Sequence, residues 1–176
     1  YLVLQEVALD GKAFYPSKIA PQYRMGCEDP LEAILSAADE VGIKFFLSND
    51  FWADCQKGEF LMKDPGIRKF RAKTMEEIVS KYGHHKSFYG WYFPNESYLM
   101  PYFSDDFIEY MNDCSHTARM LMPHTVNLIA PYNIKAEKAD DTFVKQLERM
   151  DIDIIAYQDG VGVNATKLGE AGKYFE

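Results

Sequence analysis

The stretch Asp29-Pro-Leu-Glu-Ala-Ile-Leu-Ser-Ala-Ala-Asp-Glu-Val-Gly42, continued by Ile43-Lys-Phe-Phe-Leu47, decides how the chain is read. Asp29 is a helix N-cap residue, because its carboxylate can accept the free amides of the first turn, and Pro30 suits the first helical position. Leu31, Ile34, Leu35, Ala38 and Val41 recur at steps of three and four and make one apolar face, which stops at Gly42. The short apolar run that follows reads as a buried strand.

The same unit recurs along the chain. Asp64-Pro65 opens a second helix whose Ile67, Phe70, Thr74, Ile78 and Tyr82 align, which ends at Gly83 and leads into Ser87-Phe-Tyr-Gly-Trp-Tyr-Phe93. Ser104 caps a third, with Phe107, Met111, Cys114, Ala118 and Leu121 on one face and Asp105 and Asp106 favourably placed in the first turn. Thr125-Val-Asn-Leu-Ile-Ala130 follows it. A fourth, after Asp141-Thr142, presents Phe143, Val144, Leu147 and Met150 and passes into Ile152-Asp-Ile-Ile-Ala156. With the opening run Tyr1-Leu-Val-Leu-Gln-Glu-Val7, this predicts an α/β domain of five parallel strands covered by helices.

Two architectures satisfy that pattern, a (β/α)8 TIM-type barrel present in part and an open doubly wound sheet. The 176 residues are too few for a complete barrel, which takes about 250. The loops favour the barrel. The segments after the first three strands, residues 8–29, 48–64 and 94–103, are long, aromatic and polar, as on a barrel's catalytic face. A nucleotide-binding doubly wound sheet would carry a glycine-rich turn after its first strand, whereas Asp10-Gly-Lys-Ala-Phe-Tyr15 has one glycine. Residues 1–176 therefore read as a single α/β domain, part of a larger barrel without its first and last strands. Such a fragment would leave strand edges open to self-association.

A net charge of −8, with 19 basic and 27 acidic residues, argues against nucleic acid or an anionic membrane as partner and favours a neutral ligand. No run of about 20 apolar residues suggests a membrane span. Cys27, Cys55 and Cys114 lack metal or redox spacing; Cys114 falls on an apolar helical face, while Cys27 and Cys55 sit in loops where pairing is open. His84 and His85 precede a strand at the stability end of a barrel and read as solvated loop residues, and His116 and His124 show no ligand spacing. No metal and no cofactor is expected.

The chemistry-bearing residues gather at strand ends. In Tyr89-Gly-Trp-Tyr-Phe-Pro-Asn-Glu-Ser97, Glu96 stands at a strand terminus flanked by Trp91 and Phe93, apolar walls that could keep its carboxyl protonated as a general acid, while Asn95 suits a sugar hydroxyl. In Ala156-Tyr-Gln-Asp-Gly-Val-Gly162, Asp159 follows an apolar strand as a second carboxylate or as a turn former before Gly160, with Gln158 beside it. Two strand spacings separate these termini by roughly 10 Å, and side chains reaching inward could bring the carboxyls into the roughly 5–9.5 Å range of glycosidase pairs. Gln5, Glu6, Asn49, Asp50, Trp52, Tyr132 and Asn133 complete a lining of amides, carboxylates and aromatic faces suited to a sugar ring, and Tyr15-Pro16-Ser17 could close one side.

Gly90-Trp-Tyr-Phe-Pro-Asn-Glu96, the Tyr15-Pro-Ser17 loop and Ile155-Ala-Tyr-Gln-Asp-Gly-Val-Gly162 together resemble a bacterial family of TIM-barrel proteins, common in Bacteroides-type gut organisms, that is regarded as glycoside hydrolases without an assigned substrate. Asn95-Glu96 is also similar to the Asn-Glu pair ending the fourth strand of clan A retaining glycosidases. That resemblance implies Glu96 as acid/base, a start at the second barrel strand, and a nucleophile on a seventh strand beyond the five found here. It also implies export to the periplasm, cell surface or medium. The reading is a glycoside hydrolase acting on an oligo- or polysaccharide, with Glu96 as proton donor and Asp159 as nucleophile, base or orienting group. The alternative is a carbohydrate-binding barrel without catalysis.

Overall fold

The computed structural model describes residues 1–53, 58–96, 99–132 and 138–174. In chain order the elements are β1 (Leu2–Leu4), β2 (Ala8–Leu9), β3 (Lys12–Ala13), α1 (Pro30–Val41), β4 (Phe45–Ser48), α2 (Gly58–Lys63), α3 (Pro65–Tyr82), β5 (Phe88–Phe93), α4 (Asp105–Leu121), β6 (Val126–Ile129), α5 (Asp141–Glu148), β7 (Ile154–Ile155) and α6 (Leu168–Ala171), with a 3-10 turn at Gly172–Tyr174.

Helix starts follow their caps. Asp29 accepts the Glu32 amide, Asp64 that of Ile67 and Ser104 that of Phe107, while Gly42 ends α1 in the left-handed conformation at φ 73°. Helix α5 is capped one residue earlier than its sequence suggested, by Asp140, which accepts the Thr142 and Phe143 amides. Its Val144 is exposed rather than packed. Three short elements escaped the pattern: the β2–β3 hairpin, α2 and α6. The hairpin turns at Asp10-Gly11, with φ 47° and 75°, the pair of positive φ values that a tight two-residue hairpin requires and that this dipeptide tolerates.

The sheet has five strands in the order β1-β4-β5-β6-β7, every pairing parallel. Among the described strands there is no reversal of order, which sets aside the doubly wound alternative, and the progression is that of a barrel. With right-handed crossovers, unbroken order puts every connecting helix on the same face. The packing agrees. Phe45, Leu47, Phe88, Trp91, Phe93 and Ile129 join the helix residues Leu31, Leu35, Met75, Ile78, Phe107 and Met111 in one core, whereas Phe46, Tyr92 and Leu128 form a separate small cluster on the other face. β1 and β7 are the outer strands, with Leu2, Val3 and Ile154 partly exposed.

Gly90 sits where three strands crowd. A Cβ there would collide with the Val126 carbonyl and stand 3.0 Å from the Phe46 ring, and the β4–β5 register skips Tyr89 beside it. Elsewhere polar pins tie helices to the sheet. Asp151 accepts from Arg119 Nε at 3.0 Å and Ser115 Oγ at 2.8 Å, and Asn127 Nδ2 donates to the same Ser115 hydroxyl.

His85 corrects the sequence reading. It is buried rather than solvated, with Nδ1 2.8 Å from Asp39 and Nε2 3.2 Å from Glu32, both on α1. Burial works against the charged ring, but the hydrogen bonds to Asp39 and Glu32 outweigh it and raise the pKa above the ordinary histidine value. The expectation of a small core cysteine holds for Cys114, buried on α4; Cys27 is exposed, and Cys55 lies outside the described residues.

Two outcomes are expected in urea unfolding. Gly90→Ala should cost about 3 kcal/mol or more, since a backbone carbonyl rather than a flexible side chain blocks the methyl group; a loss below about 1 kcal/mol would contradict the close approach. The Arg119 hydrogen bond holds the Asp151 carboxyl below its ordinary pKa, so its contribution is present above the usual carboxylate range and lost as pH falls through the lowered value. Asp151→Asn should accordingly be less stable than wild type at neutral pH, with the gap closing as pH falls below the ordinary aspartate range.

Candidate active site

The sequence placed the site at the C-terminal ends of the strands, and the structure divides those residues between two environments. One is an open cavity of about 310 Å³ lined by Gln5, Tyr92, Glu96 and Gln158, with Val3, Leu128, Ala130 and Ala156 as its apolar floor. Gln5 follows β1 and Gln158 follows β7, the two outer strands. In a flat sheet four spacings would hold them about 19 Å apart, so their meeting in one cavity requires the sheet to curl as a barrel wall does. The volume is at the lower end of small-molecule sites, about 300–1,000 Å³.

Glu96 is exposed at the rim of this cavity. Its expected apolar walls are not there. Trp91, 0% exposed, and Phe93 belong to the helix-side core, with Trp91 edge-on to Phe88 at 5.1 Å. Strand alternation gives Tyr92 the opposite face, and it is Tyr92 that shares the cavity with Glu96. Burial, and then the negative charge of Glu96, push the Tyr92 hydroxyl up to about 12, so it remains a neutral hydrogen-bond donor across the physiological range. Gln158 Nε2 donates to the Ala130 carbonyl at 2.9 Å, fixing the amide across the β6–β7 boundary.

Asp159 does not join Glu96 among the cavity's lining residues. It is exposed, and its Oδ1 accepts the Val161 amide at 2.8 Å, closing a turn in which Gly160 has φ 72°. Asn95 and Tyr132 are half-buried beside the strand ends, the Tyr132 carbonyl accepting the Leu99 amide at 3.2 Å. Glu6 faces a different, mainly apolar cavity between β1 and α1 that includes Phe14, Met25 and Ile34. Asn133 lies outside the described residues.

The remaining candidates are interior. Asn49, Asp50 and Trp52 are buried, with Trp52 Nε1 donating to the Asn49 carbonyl at 3.1 Å. Asp50 accepts from Arg71 Nη1 at 2.8 Å and the Tyr110 hydroxyl at 2.6 Å, and the Arg71 guanidinium lies 4.5 Å from the Tyr110 ring centre. Asp50 and Arg71 side chains are each 2% exposed, so this is an interior charge pair joining β4 to α3 and α4, with no surface to offer a glycan. Tyr15 is equally enclosed; its hydroxyl, Ser17 Oγ and the Lys18 amide all donate to Glu77 of α3, which makes the Tyr15-Pro16-Ser17 loop a tether to the helix layer.

Sequence reasoning missed Tyr92 and Arg71. Both faces of β5 are aromatic, so alternation alone gave no sign of which face the helices cover. Arg71 was findable, since it falls in step with Thr74, Ile78 and Tyr82 on the buried face of α3.

The family described as "Domain of unknown function (DUF4434)" matches residues 1–176. No curated protein sequence matches the chain. Among solved structures, a Bacteroides thetaiotaomicron protein provisionally named an alpha-L-fucosidase is similar at TM-score 0.72 and 16% identity, over 98% of this chain and 56% of its own. The chain thus spans little more than half of that protein, and the likeness shows a shared fold. A Dictyoglomus thermophilum beta-D-glucuronidase (TM-score 0.48, 18% identity, 70% of this chain and 21% of its own) is a more distant match. So is an intracellular xylanase of Thermoanaerobacterium saccharolyticum (TM-score 0.48, 15% identity, 89% of this chain and 54% of its own).

Breaking the interior pair from one side should be costly. Asp50→Ala strands the Arg71 charge and should cost about 3–5 kcal/mol in urea unfolding, whereas Asp50→Leu with Arg71→Met should lose less than the two single changes summed. Additive losses would contradict the coupling.

Proposed function

The chain belongs to the DUF4434 family, and from that premise and the geometry of the strand ends we propose that it supplies the carbohydrate-binding and proton-donating half of a glycoside hydrolase site. The observation that carries the reading is the cavity in which Glu96 meets two side-chain amides and a neutral phenol over an apolar floor. Gln5 and Gln158 can each donate to and accept from a sugar hydroxyl, Tyr92 donates, and Val3, Leu128, Ala130 and Ala156 suit the apolar face of a pyranose. In this reading Glu96, at the rim, protonates a glycosidic oxygen as the bond breaks and, deprotonated, takes a proton from the incoming water. The fold shared with a protein provisionally named an alpha-L-fucosidase supports a glycan as ligand.

Glycoside hydrolysis needs a second carboxylate. Asp159 is engaged with its own turn, and Glu96 is the one carboxylate among the described residues lining the cavity. That observation favours a second reading, a glycan-binding barrel that does not hydrolyse. It also reduces Asp159 to shaping the loop beside Gln158.

Full-length protein assayed on a glycan panel separates the two. With Glu96→Gln, turnover should fall by about 10²–10⁴ while binding survives. Undiminished turnover would overturn the role of Glu96, and wild-type binding with no product would select the second reading. Gln5→Ala and Gln158→Ala should weaken binding in either case, and unchanged binding in both would remove the cavity as the site.

A further inference from the structure

At the N-terminal end of β5, the end away from Glu96, three metal-ligand side chains converge that the glycan reading does not use. Glu32, His84 and His85 each offer a ligand atom, all lying within 4.8 Å of one another. His85 is 6% exposed and His84 lies against it, with ring centres 4.1 Å apart. We propose that Glu32, His84 and His85 bind one divalent transition-metal ion of the Zn²⁺ type, which clips α1 to the turn between α3 and β5.

The partners around the trio are those a metal site needs. His85 Nδ1 is 2.8 Å from Asp39 Oδ2, an arrangement that orients the ring and directs Nε2 outward, as the outer carboxylate does in carboxylate–histidine–metal triads. Glu32 is fixed as well, since its Oε1 accepts from Ser36 Oγ at 3.0 Å and leaves Oε2 facing His85. Asp39 Oδ1 in turn accepts the Ser87 amide at 2.6 Å. Glu32 and Asp39 stand two helical turns apart on α1 and so share a face, which lets one helix supply both a ligand and the group that orients another.

Distance and donor type specify the ion. Two ligand atoms bound at about 2.0–2.1 Å in a tetrahedron lie about 3.3 Å apart. His85 Nε2 and Glu32 Oε2 are already 3.2 Å apart. His84, exposed and on a turn, closes the third position by side-chain rotation, and water takes the fourth. Two imidazoles with one carboxylate select Zn²⁺, Co²⁺, Ni²⁺ or Cu²⁺ over Mg²⁺ or Ca²⁺, which prefer all-oxygen shells. The ion takes the position of the Nε2 proton, which passes to solvent. Such an ion joins α1 to the turn between α3 and β5 and keeps one coordination position for water. It does not depend on the glycan reading.

The test is calorimetric titration of the whole chain with Zn²⁺, paired with the visible spectrum of the Co²⁺ form. Wild type should bind one ion saturably, show the intense bands of tetrahedral Co²⁺ and gain thermal stability. His84→Ala removes an exposed ligand without disturbing the core and should abolish saturable binding while circular dichroism is unchanged, and Glu32→Gln should do the same. Asp39→Asn should weaken binding roughly 10–100-fold. Absence of saturable binding by wild type, retention of it in His84→Ala, loss of it in His116→Ala, or displacement of Zn²⁺ by excess Mg²⁺ would each overturn the proposal.

Discussion

Parallel neighbours in a sheet can be joined only by a crossover, and an unbroken strand order sends every right-handed crossover to the same side. That constraint organises the molecule. The four main helices α1, α3, α4 and α5 cover one face and build one large core with it, while on the other face, among the described residues, Phe46, Tyr92 and Leu128 form a small cluster with Tyr89, Val126 and Ala130 packed against it. A sheet covered on one side can curl, and curling brings the outer strands β1 and β7 to a single cavity. The candidate site is therefore a consequence of strand order before it is a consequence of any particular side chain.

The helix-side face is held by more than apolar contact. Gly90 allows β5 to approach β6 closely, and interior polar groups pin each layer: Asp50 to Arg71 and Tyr110, Asn127 to Ser115, Glu77 to the loop after β3, His85 to α1. Asp50 stands just past the end of β4, where polar residues commonly serve catalysis, and its burial commits it to position instead. What stays accessible at the cavity is Gln5, Glu96 and Gln158, with Tyr92 beneath them.

The two ends of the strands thus have separate tasks in this reading. The C-terminal end presents amides, a phenol and a carboxylate to an apolar hollow, as carbohydrate recognition needs. The N-terminal end of β5 gathers His84, His85, Glu32 and Asp39 against α1 and closes the helix layer there. A ligand at one end and an ion at the other would act on different elements, so each can be probed without the other.

Local physics made the scaffold legible in the sequence. Asp29, Asp64 and Ser104 cap helices whose apolar faces recur at steps of three and four, and the short apolar runs between them have no geometry open to them but strands, so α/β alternation followed. The glutamate at the end of β5 was legible for the same reason, since a polar residue after an apolar strand emerges at its terminus. What tertiary packing decided was which of those polar residues meets solvent. Asn49, Asp50 and Trp52 look in sequence like Gln5 and Gln158, yet α3 and α4 close over the first group and nothing described closes over the second. Trp91 and Tyr92 are adjacent aromatics whose roles were exchanged by one fact absent from the sequence, the side of the sheet on which the helices lie. For these strand-end residues burial is set by the neighbours that long-range contacts bring, which no local pattern encodes.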